Sequence, residues 1–189
     1  MNVRFFSIIF FLIAGFEFFV APQWTIVGIA QAGETDLENK IKAAFLVNFS
    51  RFITWPETEF QDGEEPLTFC IAGNTGLSHA FSGVESRKIK DRSVVIREIP
   101  NFDSTARLRG CHLLYSEKST QTGLTTFLRT HPGQVVVTVG DYPGFARNTG
   151  IIELVRQNER FSFIINNSRA KEQRLRIEAS LLNLAMEVY

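Results

Sequence analysis

The sequence predicts one α/β domain: a mixed, mostly parallel sheet flanked by helices, with a C-terminal antiparallel hairpin and a long final helix. Three observations predict it. Short apolar runs bounded by turn residues recur along the chain (LTFCIAG, SVVIREI, CHLLYSE, QVVVTVG). Helical stretches lie between several of them, which is the pattern of a parallel sheet with crossover connections. Finally, IIELVRQ and ERFSFIIN flank Asn158, with Phe161, Phe163 and Ile165 alternating against Ser162 and Ile164, as in an antiparallel pair.

The chain has 189 residues, enough for one domain with a proper core. Residues 1–32 read as a cleaved export signal: Arg4 in a positive start, the apolar run FFSIIFFLIAGF, and Ala30-Gln31-Ala32 before the cleavage point. The rival reading is an uncleaved anchor, against which stand Glu17 inside the run and the shortness of the second apolar patch. Residues 33–189 then form the mature domain, with no membrane insertion of its own.

Asp36 is placed to cap the first helix, which runs to about Ile53 and is stopped by Pro56. On its wheel Leu37, Ile41, Ala44, Phe45 and Phe52 share the main apolar face, with Asn48 inside it, while Leu46, Phe49 and Ile53 make a second apolar side. A membrane-surface helix would instead show one apolar face opposite a broad cationic one. The stretch therefore reads as a core helix packed on two sides. A short helix is expected over Leu77–Phe81 and another over Gly123–Arg129, while Gln134–Gly140 is the most β-branched run and reads as a buried strand. Asn167 or Ser168 is placed to cap a final helix reaching Tyr189. There Arg176, Ser180, Asn183 and Glu187 make one polar stripe and Leu175, Ile177, Leu181, Leu182, Leu184, Ala185, Met186 and Val188 fill the rest. Such a helix is covered on more than one side, inside the domain or in a homodimer.

Lys plus Arg and Asp plus Glu are 20 each, a formal net charge of zero, without the basic excess that nucleic-acid binding needs. His79, His112 and His131 stand at no metal-ligand spacing, and no nucleophile elbow or recurring carboxylate pair appears. No catalytic residue, metal or cofactor is expected. Exported cysteines meet an oxidising compartment, so Cys70 and Cys111 form either a disulfide or two buried thiols. Two turns are candidate sites. Gly73-Asn74-Thr75-Gly76 follows the first strand and presents backbone N–H groups to an anion, though it lacks the full dinucleotide fingerprint and the P-loop lysine. Asp141 to Phe145 follows the buried strand, where α/β proteins place their sites, and offers Tyr142 and Phe145 as recognition aromatics.

Five segments, KAAFLVNFSRFITWP, LTFCIAG, GCHLLYSEK, VVVTVGDYPGFARNTGIIEL and RFSFIINNSRA…LLNLA, occur in this order. Together they resemble the YfiR-type family, over about residues 37 to 189. The resemblance implies a periplasmic α/β regulator, not an enzyme. It implies a partner in the inner membrane, a diguanylate cyclase or a sensor kinase, whose periplasmic region the regulator binds and restrains, lowering cyclic-di-GMP. It also implies a Cys70–Cys111 disulfide. Some members carry a second cysteine pair around the segment that is here Gly140 to Ile152, and this chain has none. The expected contact surface is the hairpin and the loop before it: Tyr142, Phe145, Arg160 and Phe163. The alternative function is a periplasmic small-molecule sensor or solute-binding accessory protein, using a pocket at Gly73, Asn74, Thr75 and Gly76.

Overall fold

A computed structural model describes residues 27–60, 65–73, 76–83, 88–100, 102, 108–158 and 160–189. The expected leader, residues 1–32, lies largely outside them, and of its last residues only helical backbone is described. The first element is helix α1, Val27–Phe52, followed by the two-residue strand β1, Ile53–Thr54. Then come β2 (Leu67–Ala72), β3 (Lys88–Ile89), β4 (Arg92–Ile99), β5 (Leu113–Ser116), α2 (Gln121–Thr130), β6 (Val137–Gly140) and α3 (Phe145–Asn148). The chain closes with β7 (Ile152–Gln157), β8 (Arg160–Ile165), α4 (Asn167–Glu172), β9 (Arg176–Ile177), α5 (Ala179–Leu182) and β10 (Glu187–Val188).

Eight strands form the main sheet, in the order β10-β8-β7-β6-β5-β2-β4-β3. Its centre, β4-β2-β5-β6-β7, is parallel throughout. The antiparallel β7–β8 hairpin pairs Ile152 with Ile165 through Gln157 with Arg160, and Asn158 supplies the positive φ of 56° that its tight turn requires. The two faces of the sheet have separate cores because successive side chains point opposite ways. Phe69, Ile71, Leu113, Tyr115, Val137 and Val139 pack under α1, against Leu46, Phe49 and Ile53. Cys70, Ala72 and Leu114 face the other way, onto Leu124 and Phe127 of α2 and Phe145 of α3. Phe145 lies so close over Gly140 and Gly150 that a Cβ at either would fall on its ring. Cys70 and Cys111 are bonded within this second core, their Cα atoms 5.8 Å apart.

Three expectations are corrected. Asp36 does not cap α1 but lies within it, paired with Lys40 at 2.6 Å. The apolar side that meets the sheet is the Leu46, Phe49 and Ile53 side, fully buried, whereas Leu37, Ala44 and Asn48 are exposed. The long final helix does not form. Arg174 adopts a φ of +60°, α4 ends at Glu172, and Ile177 instead pairs with Ile53 in a separate two-stranded sheet. β10 then adds in parallel to the edge of β8. Tertiary pairing prevails here because a continuous helix would leave its apolar circumference without enough cover, while two strand contacts and a short helix bury Leu175 and Leu181 to 1% and 3% exposure.

Candidate partner-binding surface

The inner side of α1 carries Lys42, 8% exposed. Its ammonium lies 2.6 Å from both Glu38, one turn back, and Asp141, at the carboxyl end of β6. Tyr115 of β5 donates its hydroxyl to the same Asp141 oxygen at 2.7 Å. Arg156 of β7 reaches Glu38 at 2.6 Å and Glu34 at 2.8 Å. Burial works against the Lys42 charge, but its hydrogen bonds to Asp141 and Glu38 prevail and hold it above the ordinary lysine value. Burial, with the Asp141 carboxylate beside it, pushes the Tyr115 phenol up. Every member has a fixed partner, so the network fastens α1 to the sheet and hairpin.

The histidines are equally occupied. His112 is buried, accepts the Thr68 N–H on Nδ1 at 3.0 Å and stacks on Phe60, and burial lowers its pKa. His131 stacks on Phe127, and His79 lies beside Ser78 on the surface. Among the described residues no three of His, Cys, Asp and Glu are grouped to hold a metal ion.

The charge network also forms one wall of an open groove of about 510 Å³ between α1 and the hairpin. Glu34, Leu37, Glu38, Ile41, Arg156 and Phe161 line it. Leu37 is 59% exposed, and Phe45, half-buried behind Ile41, touches both Phe161 and Phe163 of β8. Past β8 the sheet edge adds more apolar surface. Val188 pairs in parallel with Ile165, so both side chains point to the α1 face, and Leu184, Met186 and Val188 are 70%, 48% and 43% exposed. An apolar groove with a salt-bridged rim, beside an uncovered apolar edge, has the make-up typical of macromolecular contact surfaces.

The structure does not bring the four expected contact residues together on a surface. Tyr142, Phe145 and Phe163 are 4%, 0% and 6% exposed, because the loop after β6 folds inward and Phe163 faces α1. Only Arg160 is exposed. Gly73 and Gly76 both have positive φ, 101° and 63°, while Asn74 and Thr75 lie outside the described residues. The adjoining cavity, about 160 Å³, is lined by Ser78, His79 and Glu98, and the Glu117 side chain closes on Gly73. Carboxylates face this turn, the wrong sign for an anion cradle. Leu37, Ile41, Phe161 and Met186 were missed as surface residues; in the sequence they read as core, since apolar periodicity does not say which of two apolar sides is covered.

A family model described as YfiR/HmsC-like matches residues 39–186. No curated protein matches the chain in sequence. Among solved structures, a conserved domain protein from Vibrio cholerae O1 biovar El Tor str. N16961 aligns at a TM-score of 0.51 and 10% identity, over 70% of this chain and 57% of that one. An ABC domain in complex with L-Trp from Streptococcus pneumonia aligns at 0.48 and 10% identity, over 65% and 56%. The first likeness shows the fold alone; the second carries no argument. The chain spans little more than half the length of either structure.

Proposed function

The chain belongs to the YfiR/HmsC-like family, and from that premise we propose that it is a periplasmic regulator. In this reading residues 1–32 direct export and are removed, and the mature domain binds the periplasmic sensor region of an inner-membrane diguanylate cyclase and holds it inactive. The observation that carries the reading is the exposed groove of Leu37, Ile41 and Phe161, beside the charge network of Lys42, Asp141, Glu38 and Arg156 that fastens α1 to the sheet. The apolar floor takes an apolar segment of the partner. The rim charges, Arg156 held between Glu34 and Glu38, fix its register.

Such a domain needs no catalytic residue. It shifts a transmembrane partner between conformations by binding one of them more tightly. A preference of about 3 kcal/mol changes the population by roughly a hundredfold, enough to silence a cyclase. The test is co-purification from membranes with an inner-membrane diguanylate cyclase, alongside cyclic-di-GMP measured after deletion of the regulator. A complex and a rise in cyclic-di-GMP are expected. Absence of both sinks the proposal.

A further inference from the structure

On the face of the sheet opposite α1, a second cavity of about 190 Å³ lies between α2, the turn after α3 and α4. Its lining is Thr125, Leu128 and Arg129 from α2, Asn148 and Thr149 from the end of α3, and Arg169 from α4. Two arginines, an asparagine and two threonines thus line one space, with a single apolar side chain and no carboxylate among the lining residues.

Four of the other described arginines are held by acceptors. Arg92, Arg97, Arg147 and Arg156 each donate to a carbonyl, a carboxylate or a phenol. Among the described residues neither Arg129 nor Arg169 forms an ion pair, and the Arg169 Nε is buried with no hydrogen-bond partner. A buried donor left unsatisfied is costly, and two like-charged residues lining one cavity add to that cost. An anion removes both penalties at once. Guanidinium forks match the oxygens of a tetrahedral oxyanion, and the Asn148 amide and the threonine hydroxyls suit its remaining oxygens.

We propose that this cavity binds a small doubly charged oxyanion, phosphate or the phosphoryl group of a phosphomonoester. The site is independent of the α1 groove: it lies across the sheet and shares no residue with it. Occupancy would brace α2, α3 and α4 against one another, so the ligand also stabilises the fold by mass action.

Calorimetric titration and thermal unfolding with inorganic phosphate test the assignment, with sodium chloride at equal ionic strength as control. Phosphate is expected to bind saturably and raise the melting temperature, and chloride to do neither. Arg169→Gln is expected to abolish binding and Arg129→Gln to weaken it about tenfold or more, the loss of one charge-assisted contact. Arg129 is exposed, so its variant folds even where Arg169→Gln does not, and it then carries the test. Glycerol phosphate distinguishes the source: binding at least as tight as phosphate identifies a phosphomonoester, weaker binding the free ion. An equal response to chloride, an unchanged phosphate affinity in Arg129→Gln, or no binding of either phosphate or glycerol phosphate overturns the assignment.

Discussion

His112 condenses the strategy of the fold at the scale of one residue. Its backbone carbonyl accepts the Trp55 indole N–H at 2.9 Å, its Nδ1 accepts the Thr68 N–H, and its ring lies flat on Phe60 at 4.6 Å between centroids. Nδ1 can accept only while it carries no proton, and burial lowers the ring's pKa in the folded state. The folded protein therefore binds fewer protons here than the unfolded chain, so stability rises with pH across this window. On acidification the contribution is intact above about pH 6.5, the value of an unfolded histidine. It is lost progressively as the pH falls from there through the folded pKa. Urea midpoints between pH 7.5 and 5 are expected to drop for the wild type and to drop less for His112→Gln. Parallel pH profiles for the two would refute this account.

At the scale of elements, the strands were legible in the sequence and the chain's last part was not. Leu67–Ala72, Leu113–Ser116 and Val137–Gly140 read correctly because a strand buried on both faces is continuously apolar and β-branched, and turn residues mark its ends. The hairpin read correctly because its alternation and its Asn158 turn are local signals. Residues 174–189 misled because their apolar positions suit two periods: a helix wheel, or the spacing of two seen in Leu184, Met186 and Val188. What decides between them is Ile53 and Ile165, distant in sequence. The site was less legible still. Tyr142 and Phe145 follow a parallel strand as binding aromatics do, but Gly140 and Gly150 open a space that Phe145 fills. The disulfide joins two elements, β2 and the entry to β5, and closes a separation of 41 residues. On the chain-entropy account it contributes about 4 kcal/mol. Reduction under native conditions is expected to lower the urea midpoint accordingly; an unchanged midpoint counts against a stabilising role.

For the whole molecule, the two faces of the sheet divide the labour. One carries α1, the charge network and the exposed groove; the other carries the disulfide core and the arginine-lined cavity. Ile41 and Phe161 are only half-buried at the groove. The double substitution Ile41→Glu with Phe161→Asp is therefore expected to cost little stability while reducing partner capture by tenfold or more, about the loss of two apolar anchors. Equal capture by a variant with unchanged circular dichroism would place the contact elsewhere.

The pairing of Ile53 with Ile177 has a consequence for how the chain is made. The exit of the first helix is held by a residue near the other end of the sequence, and Arg156 grips Glu34 across a separation of 122 residues. Contacts this remote close slowly and late, since loop entropy must be overcome before they contribute. A chain emerging from the ribosome has its first helix and β2 in hand but lacks the hairpin and the tail segment that cover them. It stays open until β8 and β9 have been synthesised, and on the proposed export route an open chain is what a narrow channel can pass.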